Sequence, residues 1–351
     1  MIPLNSDTES QPTSAMREAI ARAEVGDEQQ GRDPTVNLLQ EHVAALLGKE
    51  AALWFPGGTM CNFVAIKVHT QPADAIVADW MAHIIRAESG GMALSSGVLV
   101  EHIRTERGVF SADQLQEALD RVTTIPVPYG QPVGLVCVEQ THNFGGGSVW
   151  QLAELRAIAK IARERGISVH MDGARLMNAV TATGTPAHLF AAEVDSVWMD
   201  FTKGLGAPIG AVLAGSRDFI AKARRYKHVF GGAMRQAGIA AAGCLYALDH
   251  NITRLTDDHG NARRLAQGLS GIAGIRLGTP IPESNMVFFD VRGIGLDNTE
   301  FLEAMEAKGI RLGQVRGQIR AVTHLDVSSS DIETTLEAVR SISEQQQSRK
   351  P

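Results

Sequence analysis

The sequence has 351 residues, of which 44% are hydrophobic and 21% are charged, and it carries a formal net charge of −6. This composition is typical of a globular protein in water, and the negative balance argues against a basic nucleic-acid-binding or anionic-membrane-binding surface. The length suggests two packed units or one large α/β domain with a satellite.

The first residues and the cysteines indicate the compartment. Residues 1–10 are too polar for a secretory signal peptide, and no apolar run approaches the length needed to span a membrane. Cys61, Cys137 and Cys244 are too few and too irregular for a disulfide framework or a zinc site. We therefore expect a cytoplasmic protein without a metal site, and a disordered tail over residues 346–351.

Short apolar strands alternate with amphipathic helices over the first 250 residues. Residues 34–47 have apolar side chains at helical spacing between a capping Asp33 and a terminating Gly48, and residues 151–165 repeat the pattern. Buried strands are predicted over residues 75–78, 135–138, 167–171, 196–199 and 209–213. This alternation favours an α/β fold with a mostly parallel sheet that helices cover on both faces.

The pattern changes near residue 250. A long helical stretch is followed by a predicted strand at 286–290, a helix at 300–308, a strand at 319–322 and a helix at 330–342. We predict a large domain over residues 1–250, whose N-terminal segment contributes to the site, and a small α+β domain over residues 251–345.

Lys203 follows directly on an apolar strand in the stretch Ser196-Val-Trp-Met-Asp-Phe-Thr-Lys-Gly-Leu-Gly-Ala-Pro208. In open α/β sheets, ligands bind beyond the carboxyl ends of the strands. The lysine is therefore either a loop residue with its ammonium group in water or an amine positioned for covalent chemistry.

Two further motifs follow strands. Asp172 and Arg175 end a strand in Asp-Gly-Ala-Arg, where the aspartate either caps the next helix or holds a cationic ring nitrogen. Gly58 and Thr59 open a helix, where free backbone N–H groups and the helix dipole suit a phosphate, although a simple turn is the alternative. This segment is neither a P-loop nor a dinucleotide fingerprint.

His83 follows the strand at 75–78, and a histidine taken alone is more often structural than catalytic. In chain order, however, the sequence presents a phosphate cradle, a histidine, an aspartate–arginine pair and a lysine. Together they are typical of pyridoxal 5′-phosphate. The lysine would bind its aldehyde, the aspartate would keep the ring nitrogen protonated, and the histidine would stack on the ring.

Motifs spread over nearly the whole chain match one family. They are Val25-Gly-Asp27, Asp33-Pro-Thr-Val-Asn37, Gly48-Lys-Glu-Ala51, Ala82-His83, Glu88-Ser-Gly-Gly91, Thr141-His-Asn143, Asp172-Gly-Ala-Arg175, Lys203-Gly-Leu-Gly-Ala-Pro208 and Gly231-Gly-Ala-Met-Arg-Gln236. In these motifs the chain resembles the low-specificity L-threonine aldolases, within the β-eliminating-lyase group of fold-type I pyridoxal-phosphate enzymes. The resemblance implies a homo-oligomer, a dimer or a homotetramer, with the site at a subunit interface.

The resemblance also implies roles for the residues that bind the cofactor. Lys203 is the covalent anchor, Asp172 pairs with the ring nitrogen, and His83 stacks on the ring. Gly58 and Thr59 hold the phosphate through the backbone and a hydroxyl group.

Four more positions match the family's substrate and anion contacts. Ser6, Arg175 and Arg320 correspond to positions that bind the substrate carboxylate, and a guanidinium offers such a carboxylate two parallel hydrogen bonds. Arg235 either completes the phosphate or carboxylate environment, in a neighbouring subunit in one arrangement, or forms a structural ion pair.

The activity that the resemblance implies is the cleavage of β-hydroxy-α-amino acids of the L-threonine or L-allo-threonine type to glycine and an aldehyde. His83, or a water that it holds, would take the proton of the β-hydroxyl group. A related β-eliminating lyase or a transaminase that acts on a small amino acid is the alternative. A non-enzymatic scaffold is a third reading, and the complete set of cofactor residues argues against it.

The chain departs from the family's pattern on the substrate side. Gln30 lies where an aromatic residue is common, Ile84 follows His83 where another is common, and residues 129–132 lack a histidine that some members carry. We therefore expect Gln30 and Ile84 to lie near the substrate pocket. Three other histidines are expected to be structural, namely His142, His170 and His324.

Overall fold

Strands and helices alternate along the computed structural model, which describes residues 1–348. The strands are β1 (Ile2–Pro3), β2 (Ala51–Phe55), β3 (Ala75–Asp79), β4 (Leu99–Ile103), β5 (Val133–Glu139), β6 (Ser168–Gly173), β7 (Ser196–Asp200), β8 (Ala211–Gly215), β9 (Arg276–Leu277), β10 (Met286–Asp290), β11 (Ile310–Arg311), β12 (Gly313–Val315) and β13 (Gln318–Val322).

The α-helices cover both the sheet faces and the C-terminal region. They are α1 (Ser14–Ala21), α2 (Pro34–Leu47), α3 (Gly58–His69), α4 (His83–Arg86), α5 (Gly91–Ser96), α6 (Ala112–Val122), α7 (Leu152–Glu164), α8 (Leu176–Thr183), α9 (Ala187–Ala191), α10 (Arg217–Val229), α11 (Gly238–His250), α12 (Leu255–Ser270), α13 (Asn298–Ala307) and α14 (Ser329–Ser348). Short 3-10 helices occupy Asp7–Glu9, Glu28–Gln30 and Arg292–Ile294.

A seven-stranded sheet forms the centre of the large domain, in the order β2-β8-β7-β6-β5-β3-β4. Strands β7, β6, β5, β3 and β4 run parallel, and β8 lies antiparallel between β2 and β7. The predicted α/β fold with a mostly parallel sheet is confirmed. The parallel strands bring their carboxyl ends to one edge of the sheet, which is where open α/β sheets bind ligands.

The local signals of helix α2 act as predicted. Asp33 accepts a hydrogen bond from the backbone N–H of Val36 at 3.1 Å and so caps the helix. Gly48 ends it with a φ of 60°, which glycine adopts without the steric penalty of a side chain. The buried face of the helix contributes Val36, Leu39, Val43 and Leu47 to the main hydrophobic cluster.

A separate hydrophobic cluster fills the C-terminal region. It includes Leu4 and side chains from Ala262 to Ile342, whereas the main cluster runs from Met16 to Leu255. A four-stranded antiparallel sheet, β12-β13-β10-β9, lies in this region. Strand β1 pairs in parallel with β11, so the first residues of the chain pack on the C-terminal region and then lead towards the sheet edge. The domain boundary at residue 250 stays a prediction.

The predicted tail begins too early. Helix α14 continues through Ser348, with Ile342 and Ser343 buried on its inner face, so residues 346–348 are helical. Residues 349–351 lie outside the described part of the chain. Within residues 1–348, no helix is both long and apolar enough to cross a membrane.

Candidate active site

A cavity of about 340 Å³ opens at the carboxyl edge of the central sheet. Eight of the nine predicted site residues line it, namely Ser6, Gly58, Thr59, His83, Asp172, Arg175, Lys203 and Arg320. They come from the segments that follow β1, β2, β3 and β7, from the end of β6 and the residues after it, and from strand β13. The topology thus brings together residues that are more than 300 positions apart in sequence.

Lys203 lies three residues after β7 and contacts the carboxylate of Asp200. Its ammonium group also lies 5.7 Å from the centre of the Trp198 ring. The other oxygen of Asp200 accepts hydrogen bonds from the backbone N–H groups of Phe201 and Thr202, at 2.9 and 3.2 Å. The turn after β7 is therefore organised around Asp200, which holds the lysine amine at the cavity wall.

The start of helix α3 forms another wall of the cavity. Its N-cap residue is Gly57, and among residues 1–348 no side chain caps the helix. Free N–H groups therefore remain at the N-terminus of a 12-residue helix, where the macrodipole also favours an anion. Gly58 is required by packing, because a Cβ atom there would lie 2.1 Å from the Trp198 ring.

Asp172 is buried beside other carboxylates. Its Oδ1 accepts a hydrogen bond from the backbone N–H of Ala174 at 3.0 Å, and its Oδ2 accepts one from the side-chain amide of Asn62 at 2.9 Å. Burial and the neighbouring charge of Glu139 raise the pKa of Asp172 to about 6. Within the described residues, Asp172 makes no salt bridge with a basic side chain, so a cation beside it would stabilise its charged form.

His83 is held in place by two carboxylates. Its backbone N–H donates to Glu139 at 2.8 Å, and its Nδ1 lies 3.0 Å from an oxygen of Glu88. Burial lowers the pKa of His83, but the bond to Glu88 and the charges of Asp172 and Glu139 outweigh it, so the pKa is raised overall. Because Nδ1 faces Glu88, Nε2 is the nitrogen that can exchange a proton with a ligand.

Arg175 is engaged within the protein by a residue that the sequence reading did not assign. Its Nε and one terminal nitrogen donate to the two oxygens of Asp7, at 2.7 and 2.6 Å, and both side chains are buried. Although burial opposes it, this pairing holds the pKa of Asp7 well below its usual range. Asp7 takes Nε and one terminal nitrogen of Arg175, whose side chain lines the cavity, and the contact of Arg175 with a substrate carboxylate stays a prediction.

Arg320 is a half-buried arginine that also lines the cavity. Its terminal nitrogens donate to Asn143 Oδ1 at 3.1 Å and to the Asn5 carbonyl at 2.9 Å. Its Nε is buried and has no hydrogen-bond partner among residues 1–348, and no carboxylate of this range forms a salt bridge with it. Burial and the charge of Arg175 lower its pKa, as expected for a cation without an anionic partner.

Three residues that the sequence singled out lie away from the cavity. Arg235 is exposed and forms a salt bridge with Asp27 at 3.0 Å. Within one chain it therefore forms the structural ion pair that was the alternative to a role in the site. Gln30 is exposed, and Ile84 is buried in a hydrophobic cluster beneath α4. Neither lines the cavity of this chain, and the expectation that both lie at its substrate pocket is not met within one chain.

The other three histidines have structural partners. His142 is buried, accepts a hydrogen bond from the Gly145 N–H at 3.0 Å and faces Asp79. His324 lies 2.7 Å from the Pro3 carbonyl and so ties the N-terminal segment to the C-terminal region. His170 is fully buried in β6, as predicted for a core residue.

The sequence reading missed four acidic or amide residues of the site. Asp7, Glu88, Glu139 and Asn62 were either unassigned or quoted only as parts of motifs. Three of these positions follow a rule that could have found them: Glu139 ends strand β5, Asp7 follows β1, and Asn62 is one helical turn beyond Gly58 on a buried face. Polar residues at buried positions near strand ends are the usable signal.

Comparison with known proteins places this arrangement in one family. Residues 3–292 match the family described as β-eliminating lyase. The chain is 38% identical over 343 residues to low-specificity L-threonine aldolase 1 of Arabidopsis thaliana, covering 95% of this chain and 94% of that protein. It is 37% identical over 335 residues to the low specificity L-threonine aldolase of Escherichia coli (strain K12), covering 95% and 96%.

The chain belongs to the low-specificity L-threonine aldolases of the β-eliminating lyase family.

The fold is shared with solved members of this family. The structure of the Leishmania major threonine aldolase superposes with a TM-score of 0.83 at 21% identity, covering 97% of this chain and 100% of that one. The predicted fold-type I architecture is thereby confirmed, as is the resemblance on which it was based.

The contact between Gly58 and Trp198 can be tested by a single methyl group. Gly58→Ala would force the indole to move and is expected to destabilise the apoprotein by about 1–3 kcal/mol, the usual effect of overpacking. Chemical denaturation of the apoprotein measures it. Gly57→Ala is the matched control, because among the described residues nothing lies within 4 Å of its Cβ position. Equal stability of both variants would contradict the packing account.

Proposed function

We propose that the protein is a pyridoxal-phosphate-dependent aldolase that cleaves β-hydroxy-α-amino acids of the L-threonine and L-allo-threonine type to glycine and an aldehyde. One observation carries the proposal. Among residues 1–348, a lysine amine, a buried aspartate without a salt bridge and an arginine without a carboxylate partner line one cavity. The family to which the chain belongs supports the same activity.

The residues present fit the cofactor. Burial and the charge of Glu139 raise the pKa of Asp172, and a protonated ring nitrogen beside the carboxylate would lower it again. The uncapped N-terminus of α3 suits the phosphate, with Gly58 and Thr59 at its first positions. Lys203 would hold the aldehyde carbon. When bound, the cofactor supplies an electron sink for the bond that breaks at Cα.

Arg320 is the residue that we assign to the substrate carboxylate. Its two terminal nitrogens each donate one hydrogen bond, to Asn143 and to the Asn5 carbonyl, and each carries a second N–H that can donate to an anion. The Asp7–Arg175 pair lies next to it and supports the wall through the buried ion pair. A fixed carboxylate decides which bond of Cα is aligned for cleavage, so this contact controls reaction type as well as affinity.

His83 is the residue that we assign to proton transfer at the β-hydroxyl group. The hydrogen bond to Glu88 keeps the proton on Nδ1 and leaves Nε2 free to accept one. The raised pKa makes the imidazole a stronger base than an ordinary histidine. Asp200 contacts the Lys203 amine and would hold it at the cavity wall, where the cofactor aldehyde would bind.

The assembly and the compartment extend the proposal. We infer a cytoplasmic homo-oligomer, a dimer or a homotetramer. We infer that in such an assembly Arg235, which is exposed in one chain, contributes to the phosphate site of a neighbouring subunit. The proposal adds no metal site. The ligand atoms of His83, Glu88 and Asp172 lie within 4.8 Å of one another, and the Asn62 amide donates to both carboxylates.

The reaction type is tested by its products. The holoenzyme supplied with L-threonine, L-allo-threonine or β-phenylserine is expected to release glycine and the matching aldehyde in equal amounts. Both products are quantified by chromatography, with Lys203→Ala as the inactive control. Ammonia with a 2-oxo acid that keeps every carbon of the substrate, such as 2-oxobutyrate from L-threonine, would instead identify a β-eliminating lyase. A β-hydroxy-2-oxo acid with aminated cofactor would identify a transaminase. Either result would overturn the aldolase assignment.

The assignment of the carboxylate contact is tested at Arg320. Arg320→Lys keeps the charge but loses the planar fork, so KM for L-threonine is expected to rise about tenfold or more, as for the loss of one charged hydrogen bond. Arg263→Lys, at an exposed arginine away from the cavity, is the control and should leave KM unchanged. A normal KM in Arg320→Lys would assign the carboxylate to another residue.

A further inference from the structure

A buried chain of hydrogen bonds leads away from Asp172 through helix α3 and strands β6 and β7. Asn62 joins Asp172 at 2.9 Å, His170 Nε2 lies 3.1 Å from Asn62 Oδ1, His170 Nδ1 lies 2.8 Å from Ser196 Oγ, and Ser196 Oγ lies 2.8 Å from His69 Nε2. The three residues between the two ends of the chain are fully buried. The catalytic roles proposed above do not use any of them.

The secondary structure places these residues in register. His170 and Asp172 alternate along β6 and so point to the same face of the sheet, and His170 pairs with Ser196 of β7. Asn62 and His69 are seven residues apart on α3, two turns along one helix face. Asn62 and His69 on this face of α3 therefore contact the residues of β6 and β7 along the whole chain of hydrogen bonds.

The direction of each bond follows from the chemistry of its partners. The Asn62 amide nitrogen faces two carboxylates, Asp172 at 2.9 Å and Glu88 at 2.8 Å, and can only donate to them. Its oxygen accepts from the Trp198 indole N–H at 2.7 Å, and an amide oxygen cannot donate, so His170 Nε2 must carry the proton that points at it. All four hydrogen-bonding positions of Asn62 are then filled.

The outer half of the chain continues in the same direction. Burial lowers the pKa of His170 to about 3 and that of His69 to about 4, so both rings are neutral. With its proton on Nε2, His170 Nδ1 accepts from the Ser196 hydroxyl, and the Ser196 oxygen accepts from His69 Nε2–H. Each group donates towards Asp172. Aligned bonds of this kind polarise one another.

We propose that His69, Ser196, His170 and Asn62 form a one-directional hydrogen-bond chain that keeps the Asn62 amide turned towards Asp172, and that this chain positions the carboxylate for a cationic ring nitrogen. The proposal rests on the cofactor assignment made above. The four residues are positioning residues and do not touch the ligand. Their effect is confined to the contact between Asp172 and the ring nitrogen, which makes it separable from a general effect on folding.

The test compares two ligands on the apoprotein. Pyridoxal 5′-phosphate and 1-deazapyridoxal 5′-phosphate share the aldehyde and the phosphate, and they differ only in the ring nitrogen. Wild-type protein should bind the first more tightly. His170→Leu is expected to weaken the binding of pyridoxal phosphate by about fivefold, within the range of one hydrogen bond, and to leave the affinity for the deaza compound unchanged. Equilibrium dialysis gives both dissociation constants without any turnover.

A second substitution keeps the test valid if His170→Leu folds poorly. In His170→Gln, the amide nitrogen can donate to Asn62 and the amide oxygen can accept from Ser196, so the affinity is expected to return to the wild-type value. His259→Leu removes another buried histidine, one that bonds to Asn178 at 3.3 Å, and should change neither constant.

Four outcomes would overturn the proposal. An equal loss for both ligands would show a general packing effect, and failure of His170→Gln to restore affinity would show that the bond pattern is not what matters. Equal affinity of the wild-type protein for both ligands would show that the ring nitrogen makes no stabilising contact with Asp172. The aldolase assignment would then still be decided by its product test. If the wild-type protein binds neither ligand, the proposed function fails as well.

Discussion

The burial of several carboxylates around one cavity is the constraint on which the site depends. Asp7, Glu88, Glu139, Asp172 and Asp200 are all largely removed from water. A buried charge is tolerated only where hydrogen bonds or an opposite charge compensate it. Arg175, His83 and Lys203 each face one of these groups, and backbone N–H groups hold others. Among the described residues, Asp172 and Glu139 are the two of these carboxylates that form no salt bridge with Arg175, His83 or Lys203.

The topology of the fold explains how this constraint is met. Parallel strands end at one edge of the sheet, so a polar residue after each strand reaches the same space. Strand β1 then pairs with β11 and carries Asp7 from the other end of the chain onto Arg175. The site is therefore closed by contacts between the N-terminal segment, the large sheet and β13, and each of these regions limits the positions that the charged groups can take.

The fold and most of the cavity could be predicted because they depend on local patterns. Alternating strands and helices, and polar residues at strand ends, are visible in the sequence, and Lys203 and Asp172 were found in this way. Asp7 could not be assigned as the partner of Arg175, because the pairing of β1 with β11 joins residues about 300 positions apart. Arg235 and Gln30 came from resemblance alone, and one chain does not place them at the cavity.

We expect the Asp172 carboxylate to pair with a cationic ring nitrogen of the bound cofactor. This pairing is tested most directly by nitrogen-15 NMR of the holoenzyme reconstituted with pyridoxal phosphate labelled at the ring nitrogen. At neutral pH the shift of a protonated pyridine is expected in the wild-type protein, and the shift of a neutral pyridine in Asp172→Asn. A neutral ring nitrogen in the wild-type protein would contradict the account.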